Sequence, residues 1–259
     1  MGLSCSRRSR MCFSRHCITG PSYLLCMYLY SRNVLLVSKF ITLLNLCQQP
    51  RRGKQMTEAR DGLFVWITWL SKVMAGEQSC LWASWFKTHF KNYEKAPSDF
   101  NLVQWTMQHT RLVYELHAER KQADREVFLE GANEIRYEVK PNVILVGKPD
   151  VIAITAAGPV IFDVKTGKER MSDQVQVMLY MYLLPLSSPR YLNSKPSGCV
   201  VYSHRRLQIP STSVDNSFVR NFEHFIDILT SDSPAVRVPR KNECRFCEIT
   251  RSDCGDRLD

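Results

Sequence analysis

Gly147-Lys148-Pro149-Asp150-Val151-Ile152-Ala153-Ile154-Thr155-Ala156-Ala157-Gly158-Pro159-Val160-Ile161-Phe162-Asp163-Val164-Lys165 is the stretch on which the reading of this 259-residue chain turns. Val151 to Ile154 and Val160 to Phe162 are apolar runs rich in β-branched side chains, and Thr155 to Pro159 between them supplies the small residues and the Gly-Pro breaker of a tight connection. The two runs predict an antiparallel hairpin. With its turn centred on Ala156 and Ala157, Asp150 stands opposite Asp163, and opposed side chains in such a ladder sit about 5 Å apart at Cβ. Lys165, two residues beyond Asp163, projects from the same face of the same strand. Carboxylates this close repel unless positive charge lies between them, and a hard divalent cation with oxygen ligands meets that need. An isolated Asp at a strand end is ordinarily a solvated turn residue; the register is what turns this pair into a candidate site.

Working outward, Val143 to Val146 feeds the hairpin, and Val127 to Val139 predicts a strand before it, with Glu130 and Asn133 close to the site or on a plain edge. Asp99 to Arg125 predicts a long helix with Leu102, Trp105, His109, Leu112, Val113 and Leu116 at helical intervals. A lone His on such a stripe is ordinarily a satisfied core residue. After the hairpin, Ser172 to Pro185 predicts a helix with a Ser172 N-cap and a Pro stop, and Gln176 and Tyr180, four apart, share one of its faces. Leu186 to Gly198 reads as a loop, Val200 to Ser203 with Leu207 to Ile209 as a second hairpin, and Ser217 to Leu229 as an amphipathic helix with Phe218, Phe222, Phe225 and Ile228 inward. Trp66, Trp69, Trp82 and Trp85 fall in a helical region from Phe64 to Phe90, where packing is their expected role. These elements fit one α/β domain, with no internal repeat, P-loop or helicase motif.

The cysteines give an independent signal. Cys244 and Cys247 are separated by two residues and Cys254 follows after six more, a spacing that suits a metal or the edge of a cluster better than it suits packing. The fourth ligand candidate is Cys80, far back in the chain. Joining it to the other three would close a long loop and pin the N- and C-terminal segments of the domain together. Four thiolates also suit tetrahedral zinc, and disulfides are the least expected outcome for a protein of a reducing compartment.

Charge divides the chain. Residues 1–55 hold nine Lys and Arg and no Asp or Glu, so the net charge of +10 belongs almost wholly to that segment and says nothing of nucleic-acid binding by the remainder. It reads as a targeting peptide or as upstream sequence outside the working protein, and Arg32 and Lys39 interrupt its apolar stretch too often for a spanning helix. Residues 56–259, with balanced charge, form the expected globular domain.

The pattern Pro149-Asp150, spacer, Asp163-Val164-Lys165 resembles the signature of the PD-(D/E)XK nuclease superfamily, and its surroundings are similar to the RecB-type branch, including CRISPR-associated RecB-like exonucleases and AddB-type nuclease domains. The resemblance implies a restriction-endonuclease-like core with a mixed central sheet flanked by helices. It implies catalytic roles for Asp150, Asp163 and Lys165, with Gln176 and Tyr180 matching the Gln-x3-Tyr pair that faces the DNA. It implies Mg²⁺ or Mn²⁺ held by Asp150, Asp163, the Val164 carbonyl and His109; the Gly usual shortly before that His is absent from Gln104 to Gln108, and His117 is the alternative. Cys80, Cys244, Cys247 and Cys254 match the ligands of a four-iron, four-sulfur cluster. Lys168, Arg170, Arg205 and Arg206 are candidates for phosphate contacts, equally readable as plain surface charge. The implied activity is metal-dependent hydrolysis of DNA, as an exonuclease on single strands in repair or recombination, with any unwinding supplied by a helicase partner. A non-catalytic nucleic-acid-binding or assembly subunit is the alternative. The implied compartment is the cytoplasm, or an organelle such as a plastid if residues 1–55 are a transit peptide.

Overall fold

The computed structural model describes residues 57–258, so the expectations for residues 1–55 lie outside the described residues. The chain runs through β1 (Glu58–Ala59), β2 (Leu63–Trp66), α1 (Ile67–Met74), α2 (Leu81–His89), β3 (Phe90–Lys91), α3 (Leu102–Ala123), β4 (Glu126–Leu129), β5 (Ile135–Lys140) and β6 (Val143–Gly147). It continues with β7 (Val151–Thr155), β8 (Gly158–Lys165), α4 (Met171–Ser187), β9 (Ser197–Tyr202), β10 (Arg206–Ile209), α5 (Asn216–Thr230) and the short α6 (Lys241–Cys244). Five strands form one sheet in the order β10-β9-β8-β7-β4, three form another in the order β2-β6-β5, and β1 pairs with β3. The β8/β9 and β2/β6 pairs are parallel and the rest antiparallel, so the chain is a mixed α/β protein of the expected class.

The hairpin has the expected register. Val151 pairs with Phe162 and Thr155 with Gly158, around Ala156 and Ala157. Gly158 closes the turn at φ +119°, where a side chain would be strained. Alternation along these strands then sorts the faces. Val151, Ala153, Phe162 and Val164 pack with Cys199 beneath Val113 and Leu116 of α3. Ile152, Ile161 and Val200 join the larger core with Val177, Tyr180 and Leu183 of α4. Asp150, Asp163 and Lys165 share the parity of the second set and so emerge on the α4 side.

Several elements differ from the sequence reading. Val127 to Val139 is two strands, divided by a 3-10 turn at Glu130–Ala132 and paired to different partners, β4 to β7 and β5 to β6. Trp66 lies on a strand, and of the four tryptophans Trp82 and Trp85 are buried whereas Trp66 and Trp69 are half-buried. In α3 the sheet covers only the second half of the apolar stripe, so Leu102 and Trp105 are exposed. Ser172 lies inside α4 rather than at its cap, its N–H and hydroxyl both donating to Glu77. Pro185 sits within the last turn of α4, where a missing N–H only loosens the helix end. The buried stripe of α5 is Phe218, Phe222, Ile226 and Leu229, one step out of phase with the expected Phe225 and Ile228, which lie on its shoulder.

The terminal segments of the domain are joined by hydrogen bonds. The Glu243 carboxylate accepts from the backbone N–H groups of Ser79 and Cys80 at 3.0 and 3.2 Å, at the start of α2. Thr57 donates its hydroxyl to Asp253 at 2.6 Å, and Lys95 bridges to Ile249. No helix among the described residues is long and apolar enough to cross a membrane.

Candidate active site

Asp150 enters from the step between β6 and β7, and Asp163 and Lys165 from the end of β8. Asp150 is 6% exposed, and its Oδ2 accepts a 2.6 Å hydrogen bond from the Val164 N–H across the hairpin. The same oxygen lies 3.3 Å from His109 Nε2, which reaches over from α3. That contact, opposed by partial burial, raises the imidazole pKa above its ordinary value. Asp163 is 2% exposed, and burial pushes its pKa from the ordinary 3.8 up to about 6, against the pull of the Lys165 ammonium. Lys165 Nζ stands 2.7 Å from Asp163 Oδ2.

Gln176 links these groups. Its Oε1 accepts from Lys165 Nζ at 3.0 Å, and its Nε2 donates to Asp163 Oδ1 at 3.3 Å and to the Tyr180 hydroxyl at 2.9 Å. Tyr180 in turn donates to the Lys148 carbonyl at 3.3 Å, and burial holds its phenol well above the ordinary range. Thus α4 ties the end of β8 to the Lys148-Pro149 step. The approach is close: a Cβ on Gly147 would stand 2.6 Å from Ile67 Cδ1 and 2.7 Å from Tyr180 Cε1. Asn133, buried after the 3-10 turn, donates to the Pro149 carbonyl at 3.3 Å and to Phe128 O at 2.9 Å, fixing the backbone just before Asp150. Glu130 is exposed.

A fold that gathers a Pro-Asp, an Asp-x-Lys and a Gln-x3-Tyr into one hydrogen-bonded group has a counterpart among known proteins. The family model described as the PD-(D/E)XK nuclease superfamily matches residues 72–252. The chain belongs to the PD-(D/E)XK nuclease superfamily. Comparison with curated proteins gives no match. Among solved structures, one described as "Crystal structure of SSO0001" is similar at 16% identity, over 73% of this chain and 85% of that chain, with a TM-score of 0.39.

Members of a PD-(D/E)XK superfamily usually work with a divalent metal, and the donor set here can be tested for one. Among the described residues no three His, Cys, Asp or Glu side chains converge into a metal cage. Mg²⁺ does not require one, since it is commonly held by one or two carboxylates with water filling the remaining positions. Asp163 Oδ2 is buried and receives no well-directed hydrogen bond, despite the nearby ammonium. A buried acceptor with spare capacity, facing a second carboxylate, fits one such cation. His109 Nε2 lies beside Asp150 Oδ2 in this group, and His117 lies further along α3.

The four thiols are less convergent. Cys80, Cys244, Cys247 and Cys254 are all free and half-buried. Cys80, Cys247 and Cys254 pack against the same large core, and burial raises the Cys247 and Cys254 thiols, with Cys80 adding to both. They do not form a metal-holding group as placed. Of the four basic residues singled out, Lys168 and Arg170 are exposed, whereas Arg205 and His204 engage Glu169, and Arg206 makes a two-pronged pair with Glu119. Both guanidinium groups remain solvent-exposed beside those carboxylates.

The sequence reading passed over Asp173 and Tyr202. Asp173 is 9% exposed on the first turn of α4, 3.9 Å from Lys165 Nζ, and accepts from the Tyr202 hydroxyl at 2.9 Å. Spacing carried a signal for the first: Asp173, Gln176 and Tyr180 recur at intervals of three and four, on one helix face. Nothing local announces Tyr202, which arrives by strand pairing opposite Lys165.

Proposed function

We propose that the protein is a Mg²⁺- or Mn²⁺-dependent deoxyribonuclease of the RecB-type branch, acting as an exonuclease on single-stranded DNA in repair or recombination. The observation that carries the reading is the network joining Asp150, Asp163, Lys165 and Gln176 around a buried carboxylate with spare acceptor capacity. Asp150 and Asp163 would hold the cation, together with His109 and the Val164 carbonyl. When bound, that cation supplies a water of lowered pKa and neutralises charge on the scissile phosphate. Lys165 places a compact positive charge where negative charge grows on the phosphoryl oxygens. Gln176 fixes the rotamers of Lys165 and Asp163 together, and Tyr180 anchors Gln176 to the β6–β7 step. Lys168 and Arg170 are free to meet the backbone of the substrate, and the exposed Arg205 and Arg206 guanidinium groups stand beside Glu169 and Glu119.

A binding or assembly subunit would have no use for this arrangement, because holding Asp163 ionised at such burial is unfavourable. The test is digestion of end-labelled single- and double-stranded DNA with Mg²⁺ and with Mn²⁺. Wild type should degrade the single strand, and Asp150→Ala and Lys165→Ala should each lose at least about 100-fold in rate. Equal rates for all three proteins would remove the assignment.

The cysteines enter the proposal as a structural four-iron, four-sulfur site, with zinc as the alternative. Its support is the shared packing of Cys80, Cys247 and Cys254 on one core. Air-free purification giving a brown protein that absorbs near roughly 400 nm would report the cluster, and a zinc assay would report the alternative.

A further inference from the structure

We infer that Asp173, held by Tyr202, is a positioning residue for Lys165 that retains the ammonium in place once a cation occupies Asp163. The inference rests on the nuclease reading above and adds to it the group that keeps the lysine aimed.

The Lys165 ammonium has three N–H donors, with Asp163 Oδ2 at 2.7 Å and Gln176 Oε1 at 3.0 Å, and Asp173 Oδ1 stands at 3.9 Å as a longer ion-pair contact. Asp163 is the strongest of these, yet it is also the carboxylate offered to the cation. Shared with a divalent ion, it attracts the ammonium less. Gln176 is neutral and is itself bound to Asp163. Asp173 is then the remaining negative charge beside Lys165. Its other oxygen is already committed, Oδ2 accepting from Tyr202 at 2.9 Å and from the Arg170 N–H at 3.2 Å. That commitment fixes the carboxylate plane and leaves Oδ1 turned toward the ammonium.

The supply of Tyr202 follows from topology. β8 and β9 run parallel with Lys165 paired to Tyr202, so the phenol lies beside the lysine stem and its hydroxyl reaches the start of α4. Charge balance points the same way. Asp163 and Asp173 both flank Lys165, so the ammonium keeps a carboxylate of its own when a cation takes Asp163, whereas without Asp173 the ammonium and the cation would contend for Asp163. An Asp at this position of a helix also serves as an ordinary cap by bonding the Arg170 N–H, so the experiment must separate capping from positioning.

Asp173→Asn keeps an acceptor for Tyr202 and Arg170 and removes the charge. The positioning role predicts kcat on single-stranded DNA lower by about 10- to 100-fold, the usual cost of losing a group that orients another, with KM unchanged. Tyr202→Phe should lower kcat by a smaller factor, roughly threefold to tenfold, and it stands in if Asp173→Asn does not fold. Independently of turnover, trace acetylation of Lys165 read by mass spectrometry in the presence of Ca²⁺ should rise severalfold in Asp173→Asn over wild type. Wild-type kcat in a folded Asp173→Asn, or unchanged labelling of Lys165, would overturn the inference; so would a loss confined to thermal stability and KM. If wild type does not cleave DNA at all, the nuclease reading fails, and the labelling still decides whether Asp173 holds Lys165.

Discussion

At the scale of single residues, the site is defined by a carboxylate that would rather be neutral. Burial raises Asp163 from 3.8 to about 6, so the folded protein binds a proton more tightly there than the unfolded chain does. Through this group the stability of the metal-free protein falls as pH rises from about 4 to about 6, and is lower by a constant amount above that window. Melting temperatures of wild type and Asp163→Asn across that range should therefore converge at the acid end and separate toward neutral pH, the variant being the more stable. Added Mg²⁺ should narrow the difference, and its affinity for wild type should increase as pH climbs through about 6, because the proton and the cation compete for one carboxylate. Flat curves for both proteins would show that Asp163 is not strained in this way. His109 acts with the same sign in a higher window: its raised pKa means that the favourable pairing with Asp150 is complete below 6.5 and fades as pH climbs through the folded value above it.

Elements decide where those residues meet. The hairpin was legible because its turn is short: with Ala156 and Ala157 as the connection, alternation along β7 and β8 dictates which side chains share a face. Gln176 and Tyr180 were legible for the same kind of reason, a fixed period within one helix. What the sequence concealed were contacts between elements distant in the chain. The hydroxyl of Tyr202 beside Asp173, the Glu77 carboxylate on Ser172 and the carboxylates that occupy Arg205 and Arg206 arise from strand order and helix docking, which no local pattern encodes. The division of residues 127–139 into strands of two sheets belongs to the same class. Close approach at this scale is testable at Gly147. In Gly147→Ala the new Cβ presses on Ile67 and on the Tyr180 ring, so the variant should lose about 1 to 3 kcal/mol of stability in a denaturant titration, and turnover should drop further than stability does because Tyr180 carries Gln176.

Across the whole molecule, the chain ends of the domain are stitched by the Glu243 carboxylate at the start of α2, where Cys80 provides no side-chain cap of its own. Glu243→Ala should lower stability by roughly 1 kcal/mol, the ordinary cost of a lost helix cap, measurable as a shift in the urea midpoint at unchanged slope. If a cluster or zinc also joins Cys80 to the C-terminal thiols, the effect of Glu243→Ala should shrink in the loaded protein and reappear after chelation.

The step from β6 to β7 crosses from one sheet to the other in only three residues, Lys148, Pro149 and Asp150, clamped by Tyr180 and Asn133. Such a joint has no slack. Any rocking of one sheet on the other therefore bears directly on the backbone from which Asp150 projects. Substitutions that loosen this seam from a distance should accordingly be felt in turnover well before they are felt in the melting curve.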